Sequence, residues 1–234
     1  TVSSLVSPIM VMADRFIIGA VLGAKAVTQY TVPFQLAERS TIVPSALSSS
    51  LFPRFAKDSD HDGKQMAVTS VRLLLVLMTP VVVAAVLLAN PFLSIWISAE
   101  FAGRSAVVLQ VLLVGFWING LARIPHARLQ ATGRPNVVAI CHLVETIPYL
   151  AVLYIGLQLC DVAGAATAFA LRVFADHVLL SAQAETLRPT IRLTCVGLAL
   201  LGAALLLSQQ SLPPPVMTSA GLVLVALTIG WSFR

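Results

Sequence analysis

The chain contains 234 residues, of which 58% are hydrophobic and only 11% are charged, and its formal net charge is +5. Soluble domains contain about 25% charged residues, so this composition excludes an ordinary soluble globular protein. The basic residues lie between long apolar runs, which favours contact with a membrane surface over binding of nucleic acid.

Eight hydrophobic segments are predicted along the chain, and several reach the ~20 residues that a helix needs to cross a bilayer. Lipid offers no hydrogen-bond partner to a bare peptide group, so each segment is expected to be helical. The predicted fold is therefore an all-α, polytopic membrane helix bundle. The segments cover residues 1–22, 26–52, 67–89, 105–127, 136–157, 162–183, 191–208 and 215–232.

Proline and aromatic residues predict two local features of this bundle. The second segment contains Pro33 and Pro44, which are expected to kink it because proline removes a helix hydrogen bond. A short stretch from Pro91 to Arg104 separates the third and fourth segments and contains Trp96. It is expected to be an amphipathic piece that lies at the membrane interface.

The loops between the segments predict the orientation of the chain. Loops after the odd-numbered segments hold only Lys25 and Arg104. Because basic residues favour the cytoplasmic side, the opposite set of loops and the C-terminus are expected in the cytoplasm. That set carries Arg54, Lys57, Lys64, Arg128, Arg134, Arg188, Arg192 and Arg234.

Arginines inside the apolar segments are the main functional signal in the sequence. An ionisable side chain near the bilayer centre costs at least ~2.5–3.5 kcal/mol on insertion scales, so such residues usually face the bundle interior. We expect Arg15, Arg39 and Arg172 to line a water-filled cavity for a polar or anionic solute. Arg123 either lines the same cavity near its cytoplasmic end or ties helices together.

Acidic residues and histidines accompany these arginines. Asp14, Glu38 and Asp176 are either counter-charges for the arginines or sites for a coupling ion. His142 and Glu145 lie three residues apart on one helix face, where they form either a structural pair or a proton relay.

The sequence contains no motif for catalysis, for a cofactor or for a metal. There is no nucleophile with a base at motif spacing and no glycine-rich phosphate loop, so no enzyme activity is expected. Asp58, Asp60 and Asp62 match the opening of a calcium loop, but the twelfth position is Thr69 where a bidentate acid is required. The cysteines, which show no metal-ligand spacing, are Cys141, Cys160 and Cys195.

Several runs of the sequence resemble the O-antigen or oligosaccharide flippases of the multidrug/oligosaccharidyl-lipid/polysaccharide exporter superfamily. The first is DRFIIGAVLGAKAVTQYTVPFQLAER, with its Asp-Arg pair before an Ile-Gly turn, followed by LFPRFAK. Two later runs are similar to other stretches of that family, namely ISAEFAGRSAVVLQVLLVGFWINGLARIPHARLQATGRP and DVAGAATAFALRVFADHVLL. The resemblance is carried by the order and spacing of these runs, and it covers nearly the whole chain.

This resemblance implies a fold and a localisation. Family members have two lobes around a central cationic cavity, and they reside in the bacterial inner membrane. Residues 1–183 would form the second six-helix lobe, and residues 184–234 would form two additional C-terminal transmembrane helices. The first lobe is then missing, so the chain is expected to be a fragment of the full transporter.

The resemblance also implies an activity. Family members flip undecaprenyl-pyrophosphate-linked oligosaccharides from the cytoplasmic to the periplasmic leaflet by alternating access. Arg15, Arg39 and Arg172 would then bind the pyrophosphate. Arg123 would guard the cytoplasmic entrance. The implied partners are the lipid-linked oligosaccharide, membrane lipids, the N-terminal lobe, and polysaccharide polymerase and assembly proteins.

Three other functions compete with the flippase hypothesis. A cation-coupled drug antiporter of the same superfamily would need a cavity dominated by acidic residues, whereas basic residues match or exceed acidic ones inside these segments. A membrane-bound glycosyl- or acyltransferase would need a substantial interfacial loop, and the longest loop covers only residues 54–66. A membrane subunit of polysaccharide assembly that does not transport remains the third alternative.

Overall fold

Helices make up every element in the residues that the computed structural model describes, which are 14–57, 59–210 and 214–232. Residues 14–22 are helical and are called α1. A 3-10 turn, Arg39–Thr41, separates the second and third helices. The remaining helices are α2 (Ala24–Glu38), α3 (Ile42–Phe55), α4 (Asp60–Trp96), α5 (Ala99–Ala131), α6 (Pro135–Gln183), α7 (Leu187–Ser208) and α8 (Pro214–Ser232).

Four of these helices, α4 to α7, are long and apolar enough to cross a membrane. The chain is therefore an all-α, multi-pass membrane protein, but the predicted number of eight spans is not supported. One reason is that the second segment is broken at Arg39–Thr41 into two helices of 15 and 14 residues. The first and last predicted segments lie partly outside the described residues.

The long helix α6 folds back on itself and contains both the fifth and the sixth predicted segments. Its backbone leaves the helical region at Cys160 and at Asp161, where φ is 51° and ψ is −137°. Beyond this bend the backbone of Gly164 contacts that of Gly156. The arm of residues 135–159 (the first arm) and the arm of residues 162–183 (the second arm) therefore run antiparallel.

The helix α5 occupies the centre of the bundle. Its most apolar 18-residue window is 78% buried, whereas the corresponding windows of α6 and α7 are each 28% buried. It packs against α2, α3, α4 and both arms of α6, while α7 and α8 pack mainly against α4. Any site between the helices is consequently built on α5 and its neighbours rather than on α7 and α8.

The outer surface of the bundle carries large apolar side chains, as a protein in contact with lipid requires. Ile95, Ile147 and Leu159 are 88%, 79% and 77% exposed. The stretch from Pro91 to Arg104 does not form the separate interfacial piece that was expected. It is divided between the end of α4 and the start of α5, since the Ser98 side chain accepts a hydrogen bond from the Phe101 amide and caps α5.

One end of the bundle, called the basic end, carries Lys64, Arg128, Arg134 and the turn between α6 and α7. Arg128 is buried and donates to the carbonyl of Ala184 and, at 2.7 Å, to Asp60. Lys64 Nζ lies 2.5 Å from Glu185 Oε2, and this contact lowers the pKa of the Glu185 carboxyl. These contacts tie the start of α4 and the end of α5 to the end of the second arm.

Replacement of Gly164 by alanine tests the fold of α6. A Cβ there would overlap the backbone carbonyl of Gly156, so Gly164→Ala should force the arms apart. We expect a loss of about 1–3 kcal/mol in unfolding free energy, measured by denaturant titration in detergent. Gly202→Ala is the matched control, because a Cβ at Gly202 meets nothing within 4 Å. Equal stability of the two variants would contradict the close contact of the arms.

Candidate functional site

Three phenylalanines from three helices meet near the middle of the bundle. Phe34 of α2 lies 4.9 Å from Phe116 of α5 and 5.4 Å from Phe169 of the second arm, between ring centroids. Phe116 and Phe169 are also 4.9 Å apart. All three rings are buried. Edge contacts of this kind fix the relative positions of the helices that carry them.

Two arginines that are distant in sequence lie over this aromatic cluster. Arg15 Cζ is 5.8 Å from the centroid of the Phe34 ring. Arg172 Cζ is 5.7 Å from the centroid of Phe169 and 5.2 Å from that of Tyr149. A guanidinium over a ring face is attracted by the ring quadrupole, so both charges are held without being fully hydrated.

An acidic residue and two tyrosines complete what we call the arginine cluster. Asp14 is 2% exposed, its carboxyl interacts with the hydroxyl of Tyr149, and it acts electrostatically on both arginines. Tyr30 is also buried and lies within electrostatic range of the same three charges. The structure thus brings Asp14, Arg15 and Arg172 together, with two positive charges against one negative charge.

A second group of ionisable residues joins the two arms of α6 and is called the acid–histidine cluster. His142 Nε2 lies 3.4 Å from Asp176 Oδ1, and the ring of His142 stacks on that of His126 of α5 at 6.0 Å. Glu145 of the first arm interacts electrostatically with Asp176 of the second arm. Arg172 acts electrostatically on Glu145, which links this cluster to the arginine cluster.

The three other predicted site residues are exposed, and one of them, Arg123, acts electrostatically on His126. Arg39, in the 3-10 turn, and Glu38, just before it, are both exposed. Arg123 is also exposed and interacts electrostatically with Glu38. Its backbone carbonyl accepts a hydrogen bond from Ser48 at 3.2 Å. The structure therefore groups Arg123 with Glu38, and groups Arg15 with Arg172.

Two cavities open beside these groups. One, of about 350 Å³, lies between α3 and the last turns of α5, and His126 is part of its wall. The other, of about 240 Å³, lies between the two arms of α6. Its polar wall residues are Glu145, Tyr149 and Arg172, and the rest of its lining is apolar. Both clusters can therefore be reached from a cavity.

Sequence reasoning missed the tyrosines of the arginine cluster and the place of His126. A usable signal was present, because His142, Glu145 and Tyr149 are spaced three and four apart and so share one helix face. Phe169, Arg172 and Asp176 follow the same rule on the second arm. These spacings do not show which other helix each of these faces packs against.

The helical fold, with ionisable residues held between long apolar helices, defines a multi-pass integral membrane protein. Residues 1–106 match a family described as polysaccharide biosynthesis protein. Over 181 residues, 77% of this chain, the sequence is 35% identical to a Shigella flexneri protein named "Putative O-antigen transporter". These matches group the chain with polysaccharide biosynthesis proteins of the O-antigen transporter type. They confirm the resemblance found in the sequence. The chain spans 43% of that relative's length.

A double-mutant cycle tests the arginine cluster. We expect Asp14→Asn and Arg172→Gln to be coupled by about 1–3 kcal/mol in unfolding free energy, because each removes the counter-charge of the other in a poorly hydrated site. The measurement is denaturant unfolding in detergent of the two single variants and the double variant. The control cycle pairs Asp14→Asn with Arg104→Gln, since Arg104 is exposed and pairs with Glu100. Coupling no larger than in this control would contradict the cluster.

Proposed function

We propose that this chain is the second lobe of a flippase that carries lipid-linked oligosaccharides across the membrane in polysaccharide export. The observation that supports this most is the convergence of Arg15 and Arg172 on one aromatic cluster. Guanidinium groups can bind a pyrophosphate in a bidentate manner, and they bind it more strongly where water is scarce. The Shigella flexneri relative is named for the transport of O-antigen, which is consistent with this cargo.

The balance of charge in the arginine cluster suits an anionic cargo. Asp14 neutralises one of the two guanidinium charges, which lowers the cost of holding both arginines between helices. One positive charge remains in excess, so an incoming phosphate gains an attraction that a cationic drug would not. The sugar portion would lie in water between this lobe and the N-terminal lobe, and the lipid tail would stay among the bilayer lipids.

The exposed groups near the basic end suit an entrance. Arg39 and Arg123 would attract the pyrophosphate from the cytoplasm, and Glu38 would hold Arg123 in place between transport events. This assignment puts the basic end and the C-terminus on the cytoplasmic side of the bacterial inner membrane. Polysaccharide polymerase and assembly proteins would then act on the cargo after its release.

Carboxylates in the two clusters are the candidates for ion coupling. Asp14 lies directly beside the two arginines, and Asp176 lies in the acid–histidine cluster. A cation that binds either carboxylate would change how strongly the arginines attract an anion. Glu38 would contribute in the same way at the entrance, through Arg123.

Complementation tests this function. A strain that lacks its O-antigen flippase would receive this chain joined to the first half of the Shigella flexneri relative, and surface polysaccharide would be measured. We expect Arg15→Ala and Arg172→Ala to lower surface polysaccharide about tenfold or more, because loss of a charge-assisted hydrogen bond costs about 1.5–3 kcal/mol. The amount of protein in the membrane should not change.

Arg104→Ala is the matched control, since Arg104 is an exposed arginine that pairs only with Glu100 among the described ion pairs. It should restore polysaccharide as well as the unchanged chain does. If the joined protein is present in the membrane but restores no polysaccharide, the flippase proposal fails. If both arginine variants restore polysaccharide fully, the assignment of the cargo site fails.

A further inference from the structure

The cavity of about 350 Å³ between α3 and the end of α5 has a partly polar wall. Ser48 and Ser49 contribute hydroxyl groups from α3, and His126 and Gln130 contribute an imidazole and an amide from α5. Because His126 and Gln130 are four residues apart, they lie on one face of α5. Phe52 adds an aromatic ring to the wall and is 40% exposed. The cavity therefore combines several hydrogen-bonding groups with an apolar surface.

The polar groups of this wall keep hydrogen-bonding capacity for a ligand. Ser48 Oγ donates to the carbonyl of Arg123 at 3.2 Å, and its lone pairs stay able to accept. Gln130 Nε2 lies 3.4 Å from His126 Nε2, a contact that uses at most one of the two donor hydrogens of the amide. Ser49 is exposed and can both donate and accept. A ligand in the cavity would therefore meet both donors and acceptors.

The charge of the wall indicates which ligand it suits. Among the described residues, the wall contains no carboxylate, lysine or arginine, so it lacks the counter-charge that an ion needs when it leaves water. An apolar ligand would leave the amide and hydroxyl groups without partners, which is also costly. A sugar ring avoids both costs, because its hydroxyl groups are neutral and each can donate and accept. Its carbon-bound hydrogens can lie against the Phe52 ring through weak contacts.

Arg123 places this cavity beside the proposed entrance for the pyrophosphate. Arg123, His126 and Gln130 follow one another at spacings of three and four residues, so they form one line along α5. Arg123 is exposed and acts electrostatically on His126, which lies about one helical turn, or about 5 Å, further along the axis. A sugar joined to a phosphate at Arg123 would therefore lie at the mouth of the cavity.

We propose that this cavity binds one neutral sugar ring of the cargo, with Ser49 and Gln130 bonded to its hydroxyl groups and Phe52 against its apolar face. The pyrophosphate beside that sugar contacts Arg123 at the same time. This site rests on the proposed function and adds to it a binding surface for the sugar portion. Its residues Ser49, Phe52 and Gln130 are ones that sequence reasoning had not singled out.

Ligand-observed NMR of the purified chain in lipid nanodiscs tests this site with two probes. Glucose 1-phosphate carries a sugar and a phosphate, and inorganic phosphate lacks the sugar. We expect glucose 1-phosphate to bind about tenfold more tightly, as two net hydrogen bonds would give. Ser49→Ala and Gln130→Leu, made separately, should each reduce this advantage about threefold and leave the affinity for phosphate unchanged.

Ser50→Ala is the matched control, because Ser50 is the next exposed serine of α3, donates to the carbonyl of Leu47 and does not line the cavity. It should bind both probes as the unchanged chain does. Equal affinity of the unchanged chain for the two probes would overturn the sugar site and leave the flippase proposal intact. An advantage of glucose 1-phosphate that survives both Ser49→Ala and Gln130→Leu would do the same.

Methyl glucoside separates the sugar site from the proposed anion sites. This neutral probe has no phosphate, so its binding to the cavity does not depend on the arginines. If neither phosphate probe binds, the anion sites of the proposed function fail. Methyl glucoside that binds the chain, and binds Gln130→Leu more weakly, would still support the sugar site. Absence of binding by both methyl glucoside and glucose 1-phosphate would overturn it.

Discussion

The reversal of α6 is the constraint on which the rest of the structure depends. The bend at Cys160 and Asp161 returns the second arm along the first, and Gly156 and Gly164 allow their backbones to touch. The register set at this contact continues along both arms. It places Tyr149 beside Arg172, and then His142 beside Asp176. A side chain larger than hydrogen at either glycine would displace every one of these pairs together.

The aromatic cluster is the second feature on which the site depends, because it stabilises positive charge inside an apolar bundle. A guanidinium among hydrocarbon side chains loses most of its hydration, and only nearby groups can offset that cost. The rings of Phe34 and Phe169 contribute cation–π attraction, and Asp14 contributes an opposite charge. Because α5 contributes Phe116 to the same cluster, the most buried helix holds the charged groups in position. The packing that buries α5 therefore also sets the positions of the two arginines.

The ionisable groups between the described helices fall into two linked clusters. The arginine cluster has an excess of positive charge, and the acid–histidine cluster has buried carboxyl groups beside histidines. Arg172 belongs to the first and acts on Glu145 of the second. A change of charge on one side must therefore alter the other, and by thermodynamic linkage the effect is reciprocal.

The sequence was sufficient to predict the membrane class and the residues that carry charge within it. Apolar runs are long and continuous, and Asp14, Arg15 and Arg172 stand out in them because charge is costly there. The same runs carry the family resemblance, which was confirmed. The partners of each charge were not predictable, because Arg15 and Arg172 meet only through the packing of α1 and α6.

Local breaks in the helices were also harder to predict. The second segment, for which kinks were predicted from Pro33 and Pro44, contains a 3-10 turn between these prolines, in which Ser40 and Thr41 donate to the carbonyls of Ala37 and Glu38. Arg39, in that turn, is exposed. The apolar stretch after Pro91 was predicted to be a separate interfacial piece. Its hydrophobicity alone does not show where one helix ends and the next begins.

The distance between spin labels on the two arms tests the central claim most directly. Labels at Val144→Cys and Phe174→Cys, both at exposed positions, would be placed in a chain whose native cysteines are replaced by serine. Packed antiparallel arms have axes about 8–10 Å apart, so the labels should be separated by less than about 20 Å. A straight helix with a rise of 1.5 Å per residue would separate the same positions by about 45 Å. The short distance is predicted, and the long one would contradict the account.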